Sequence, residues 1–256
     1  MSQMLDKSHN ELVIRRRRKQ KVKKLFMLFI MLVSLLITLC LKLPYFNIKN
    51  IQVSGNKNIS TKDIVALSNV KLGNNIFYID LKDGVNGALS NPYISSATII
   101  RKFPSTILIN VKEREAVFYN NIENQYFVVD KDGIVLQKRD NIKDMKLIKL
   151  DGFDYSKCEV GKVLKDNDKS KVDAVVDLGE IVRNNKVSQG ITLIDVSNSV
   201  DIKVYYGQIC VKFGNTEDIG KKFNKVLNIL ERKELQGVKG YIDVSFNGNP
   251  VFFIEK

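Results

Sequence analysis

The sequence holds one histidine, no tryptophan, three cysteines and four prolines in 256 residues. His9 lies in the amino-terminal tail, so histidine acid–base catalysis and His-ligated metal are excluded from everything beyond residue 24. No CxxC pair, no GxxxxGK[ST] or GxGxxG phosphate cradle and no GxSxG elbow occurs. Carboxylates are plentiful, but Glu113 with Glu115 and Asp166 with Asp168 stand two apart in strand or loop, the pattern of solvated charge rather than of a glycosidase pair. Lys169-Ser170 are neighbours in a polar loop and do not point at one substrate carbon. The residues therefore predict no catalytic group, no metal site and no cofactor. Cys158 and Cys210, 52 positions apart, are expected as free thiols, since their spacing signals no disulfide.

What is present is unevenly spread. The net charge is +13, and residues 1–24 carry nine basic side chains against Asp6 and Glu11. Next comes LFMLFIMLVSLLITLCL, Leu25 to Leu41, with no charge. At about 1.5 Å per residue it reaches roughly 26 Å against a hydrocarbon layer of ~30 Å, enough for one spanning helix with Lys24 and Lys42 snorkelling at its ends. A cleaved signal peptide would need a shorter apolar stretch and a small-residue site, whereas Leu39, Cys40, Leu41 and Lys42 follow here; the leucine before Cys40 also fits a lipoprotein box poorly. Arg15 to Arg18, Lys19, Lys21, Lys23 and Lys24 outweigh Lys42, Lys49, Lys57 and Lys62 on the other side, which keeps the amino terminus in the cytoplasm. The basic run beside a span is read as topology, not as a nucleic-acid arm.

The expected organisation is a basic cytoplasmic tail over 1–24, a transmembrane helix over 25–42 and two exterior modules over 46–114 and 115–256. In the first, Ile51 and Val53 alternate with polar residues in a strand that stops at Gly55-Asn56. Ser60-Thr-Lys-Asp63 opens a helix with Ile64, Val65 and Leu67 as its apolar face, closed by Gly73-Asn74. Asp80 caps a second helix that Asn91-Pro92 ends. Strands then run over Ile94–Lys102 and Thr106–Glu113, with Phe103-Pro104-Ser105 turning between them. The second module is predicted to start near Ala116 and to contain a hairpin around Lys131-Asp132-Gly133, a strand over 146–150 and a helix over 171–183. Strands follow over 191–196, 200–206 and 208–213, then a strong helix capped by Asn215 with Arg232 and Lys233 at its end. A terminal hairpin joins Tyr241–Phe246 to Val251–Ile254 through Asn247-Gly248. The fold class is α+β, with the first module ordered β-α-α-β-β and the second a mixed sheet with two helices.

The runs VSGNKNIS, GNNIFYID and NPYISSATIIRKFPSTILINVKEREAVF resemble the POTRA module of the bacterial cell-division proteins of the FtsQ/DivIB family. The likeness continues through Tyr126 to Asp130 and Gly133 and returns in FGNTEDIGKKF and KGYIDVSFNGNPVF. It implies a non-enzymatic, single-pass scaffold in the bacterial plasma membrane at the division septum, with residues 43–256 outside. The implied partners are FtsB/DivIC-like and FtsL-like single-pass coiled-coil proteins and the membrane-embedded septal wall synthesis machinery, beside the lipid bilayer itself; no nucleic acid is expected. Alternatives from other classes are a POTRA protein serving sporulation or export, and a membrane-tethered wall-modifying enzyme.

Two surfaces are candidates for binding. The terminal hairpin presents Tyr241, Val244, Phe246, Val251 and Phe252 on an edge to which a partner strand can add, against the plainer expectation that Phe246, Phe252 and Phe253 are core residues of a small sheet. The resemblance places the FtsB/DivIC contact there. Arg101, Lys102 and Phe103 form a possible POTRA contact, or merely a charged strand end before a turn proline.

Overall fold

The structure, a computed structural model, describes residues 2–183, 190–231 and 237–255, with the side chains of residues 2–16 left aside. The chain divides into two compact units, residues 1–86 with 98–110, and residues 87–97 with 111–256.

The first unit begins with α1, Ser2–Lys42, so the basic tail and the apolar run form one continuous helix. Residues 17–42 are, among the described residues, the one helix long and apolar enough to cross a membrane, and their side chains are exposed or, at Val33, Cys40 and Leu41, half-buried. By length and composition, the exposed apolar run within it has what a membrane span requires. Thr38 Oγ1 donates to Ser34 O at 2.9 Å, which satisfies the hydroxyl inside the helix. Beyond it, β1 (Asn50–Ser54) alternates exposed polar residues with half-buried Ile51 and Val53, as its sequence predicts. It lies parallel to β3 (Thr106–Glu113), and the sheet order β1-β3-β2 puts β2 (Ile94–Lys102) on the other side.

Helix α2, Thr61–Leu67, starts where the capping pattern placed it: the Ser60 hydroxyl oxygen accepts from Asp63 N and its O–H donates to the Asp63 carboxylate. It ends earlier than expected. Ser68 forms the cap and Asn69 takes the left-handed conformation at φ 52°, so Gly73-Asn74 lies in a later turn and does not close the helix. Asp80 Oδ1 accepts from Lys82 N and Asp83 N at the start of α3, Leu81–Leu89.

The second unit carries a nine-stranded sheet. In sequence its strands are β4 (Ala116–Ile122), β5 (Gln125–Asp130), β6 (Val135–Arg139), β7 (Ile148–Asp151), β8 (Ile191–Asp195), β9 (Ile202–Tyr206), β10 (Ile209–Gly214), β11 (Gly240–Asp243) and β12 (Val251–Ile254). Their order is β12-β11-β10-β9-β8-β7-β4-β5-β6. Helix α4 (Lys169–Val182) joins the parallel pair β7–β8, and α5 (Ile219–Leu230) joins the parallel pair β10–β11, so both helices are crossovers. Their buried residues, including Val175, Leu178, Phe223 and Val226, share one core with Phe118, Leu150, Ile194, Val211, Phe213 and Ile242 from the strands.

Strand β4 has no counterpart in the elements expected from sequence. Its turn to β5 uses Glu123 and Asn124, both at positive φ, the backbone of a tight hairpin without glycine. Helix α5 departs in another way: Asn215 does not cap it. The N-cap is Asp218, left-handed and with its carboxylate paired to Lys221 instead of capping an amide, while Asn215 Oδ1 accepts from Glu217 N and Lys222 Nζ one turn earlier. Arg232 and Lys233, expected at the far end of this helix, lie outside the described residues.

Candidate functional site

The terminal hairpin forms one end of the large sheet. Strand β12 runs antiparallel to β11 with Tyr241 opposite Phe253, Ile242 opposite Phe252 and Asp243 opposite Val251. Opposed residues share a face, so Phe252 lies on the side of the fully buried Ile242, whereas Tyr241, Phe253 and Val251 lie on the other. Phe252 is nevertheless 41% exposed, because the sheet ends there and the core is no longer covered on its outer flank.

The opposite face is an aromatic strip with one cation. The Tyr241 and Phe253 rings stack at 5.7 Å, and Lys212 Nζ from β10 sits 4.5 Å above the Tyr241 ring. Next to Tyr241 comes Cys210, and opposite that Tyr205, whose pKa is raised by burial and by the Cys210 thiol. Lys239 pairs with Glu255 at 2.6 Å across the hairpin's open end.

Local chemistry explains why the two strands are short. The parallel β10–β11 pairing continues one residue past the strand through Val244 N to Lys212 O. Asp243 Oδ1 then accepts from Ser245 N and Ser245 Oγ, an Asx turn that ends β11. Residues 244–250 therefore form a loop in place of a two-residue Asn-Gly turn. Lys225 of α5 holds it by donating to Gly248 O at 3.0 Å. Beneath it Lys222 donates to Phe213 O, Asn215 O and Asn215 Oδ1; burial pushes its pKa down, opposed by the Glu217 and Asp218 charges.

Of the five hairpin residues singled out from sequence, Tyr241, Val251 and Phe252 stand on the surface at the edge, though not all on one face. Phe246 is exposed in the loop and not on the face of Ile242. Val244 is 3% exposed and belongs to the core, which removes it from any contact surface. Phe253, rated only as a core alternative, is the residue that stacks on Tyr241. Among Arg101, Lys102 and Phe103, the first is turned inward: its Nε donates to Ile76 O and its Nη2 to Ile79 O, leaving Lys102 and Phe103 exposed.

The two edges of the sheet differ. Along β6 the segment 161–164 bonds to the strand start, with Val135 N donating to Lys162 O, Gly161 N to Val135 O and Leu164 N to Gly133 O, and the strand ends in Lys138 and Arg139. Among the described residues no strand lies outside β12, whose sequence VFFI carries no charge.

Family models match both regions that follow the apolar helix: a POTRA domain of FtsQ type matches residues 46–114, and the C-terminal domain of the cell division protein FtsQ/DivIB matches residues 117–245. The chain belongs to the FtsQ/DivIB family. It is 47% identical over 250 residues to the cell division protein DivIB of Clostridium botulinum strain Hall, covering 97% of this chain and 98% of that one. It is 40% identical over 251 residues to DivIB of Clostridium acetobutylicum, covering 98% and 100%, and 39% identical over 248 residues to DivIB of Clostridium tetani, covering 96% and 94%. Membership in the FtsQ/DivIB family gives the chain a role in cell division. The rings of Tyr45, just before the FtsQ-type region, and of Phe46, Phe77 and Phe103 within it run in a chain with successive centroids 5.3 Å apart. The uncharged edge, β12, lies just beyond the region that the FtsQ/DivIB C-terminal model matches, while its neighbour β11 lies within it.

Proposed function

We propose that the chain is a non-catalytic, single-pass scaffold of the division machinery, acting at the septum by holding partner proteins outside the membrane. The observation that carries this reading is the uncharged β12 edge, bordered by the Tyr241–Phe253 strip, in a chain of the FtsQ/DivIB family. A partner segment that adds as a strand gains main-chain hydrogen bonds for affinity and side-chain contacts with Phe252 on one face and Tyr241 or Phe253 on the other for specificity. The occupant is an FtsB/DivIC-class protein with its FtsL-class coiled-coil companion, and through them the septal wall synthesis machinery. Anchoring by α1, amino terminus inside as the basic excess dictates, confines all of them to one surface and raises their effective concentration without new contacts.

The test is capture of the FtsB/DivIC-class partner by the full chain in membranes. Phe252→Lys places a charge at the edge where the parent side chain is already half exposed, so the fold is expected to keep its melting temperature while capture is lost. A variant with unchanged melting that still holds the partner as tightly as the parent sinks the site. Uniform membrane fluorescence of a tagged chain in dividing cells sinks the septal role.

A further inference from the structure

The aromatic chain in the first unit is not part of the binding edge, and its position relative to α1 is fixed. Asn75 Nδ2 donates to Cys40 O and Leu41 O at 3.0 and 3.1 Å, capping the last turn of the membrane helix from the folded module. From the same residue, Oδ1 accepts from Phe77 N, and Ile76 N donates to Phe46 O. Arg101 clamps the carbonyls of Ile76 and Ile79 from β2. The segment 75–79, the chain leaving the helix and the Phe103 turn are thus held in one arrangement directly at the helix end.

That arrangement exposes apolar surface. Tyr45 is 60% exposed, Tyr78 65% and Phe103 60%, with Leu43 and Phe77 also on the surface. Lys42 and Lys102 stand next to these residues in the chain, Lys49 lies four residues beyond Tyr45, and all three are exposed; Asp80, the nearest acid in sequence, has Oδ1 occupied by the start of α3. The apolar run of α1 is roughly 4 Å shorter than a typical hydrocarbon layer. A short span draws its flanking residues toward the interface, and here those residues lead straight into rings.

We infer that Leu43, Tyr45, Phe77, Tyr78 and Phe103 form an interfacial foot that seats this module on the outer leaflet, rings at the headgroup–acyl boundary and lysines at the anionic headgroups. This rests on α1 spanning the bilayer. Tyrosine and phenylalanine at such a boundary present an apolar body to the chains and, in tyrosine, a hydroxyl to water. The foot fixes the tilt and height of the module, which a flexible stem after the span would leave free. Phe103 is thereby assigned to lipid, not to a protein partner.

The absence of tryptophan makes the test direct. The full chain is reconstituted without any other protein in parallel sets of phosphatidylcholine–phosphatidylglycerol vesicles, one carrying a quencher at a shallow acyl position and one at a deep acyl position. Separate variants carry Phe103→Trp, Tyr78→Trp, Leu32→Trp in the span, and Lys62→Trp on exposed α2. The indoles at 103 and 78 are expected to show blue-shifted emission and to be quenched most strongly from the shallow label, within roughly 5–10 Å of the boundary. The indole at 62 is expected to stay water-exposed. If the indole at 32 is quenched from deep labels while those at 103 and 78 behave like the one at 62, the span stands and the foot is refuted. If the indole at 32 also escapes quenching, the span itself is wrong and the foot falls with it. Since no protein partner is present, strong shallow quenching at 103 and 78 assigns the surface to lipid.

Discussion

Gly240→Ala isolates the proposed binding edge from the rest of the fold. A Cβ at Gly240 would overlap the carbonyl oxygen of Phe253 and stand 3.1 Å from its carbonyl carbon and 3.2 Å from Ile254 Cα. All three are backbone atoms, so no side chain can rotate away. Carbon–oxygen approaches between strands settle at about 3.3–3.6 Å, and β12 must withdraw by about 1 Å or more. At that separation the Glu255 N to Lys239 O bond, now 2.8 Å, and its neighbour in the β11–β12 ladder are lost, together with the Tyr241–Phe253 stack. Two net hydrogen bonds at about 0.5–1.5 kcal/mol each and a ring pair of similar size give about 1.5–4.5 kcal/mol. That corresponds to a loss of protection of roughly 10- to 1,500-fold for an edge that opens locally. Hydrogen exchange read on peptides covering 250–255 should show this loss, while peptides from β9 and β10 keep the parent rate. Global melting should move little, because β12 contributes no fully buried side chain. Parent-like protection of 251–254 in the variant would refute the close approach and the register built on it.

Gly179→Ala tests the inner packing: its Cβ would overlap Lys131 O and lie 2.8 Å from Lys131 Cα, so overpacking of about 1–3 kcal/mol outweighs the helix-propensity gain of about 0.5–1 kcal/mol, and denaturant unfolding should show a net loss. Glu159, bonded by Lys162 and Lys165, has its carboxyl pKa lowered from 4.5 to about 2; the stabilisation from these pairs is complete above 4.5 and is lost as pH falls through about 2, and a carboxyl NMR titration should find that midpoint and see it rise in a Lys162→Ala, Lys165→Ala variant. Leu35→Arg puts a cation in the middle of the span at a cost of roughly 2.5–3.5 kcal/mol on insertion, and the membrane-bound fraction should drop; unchanged retention would mean that another segment anchors the chain.

Local chemistry was readable from residues alone wherever one side chain decides the backbone. Ser60 and Asp80 fix helix starts through bonds to amides two or three residues on, and β2 and β3 fall on the predicted ranges because Phe103-Pro104-Ser105 interrupts an otherwise continuous β-rich run. Where the deciding contact is distant, sequence pattern was mute. Strand β7 lies between β8 and β4, partners some forty residues later and thirty earlier in the chain, and nothing in IKLD encodes either. The β4–β5 turn carries its left-handed residues on Glu123 and Asn124, of which only asparagine is a recognised signal. At the β12 edge the alternation in VFFI is invisible because both faces hold large apolar side chains. Only the register to Tyr241 and Ile242 separates Phe253 from Phe252. Val244 misled for a related reason: it keeps the parallel pairing with β10 after β11 has formally ended, and so stays in the core.

The unequal edges of the large sheet have a consequence for assembly. A sheet open at both ends lets each added strand expose a fresh edge at the far side of every chain, and head-to-tail growth then has no natural limit. Here the β6 end is stitched by residues 161–164 and tipped with Lys138 and Arg139, so strand addition has one port per chain. If a partner strand adds at β12 as proposed, each copy takes one strand and is then finished, so crowding many copies together multiplies such complexes without fusing them into a fibre.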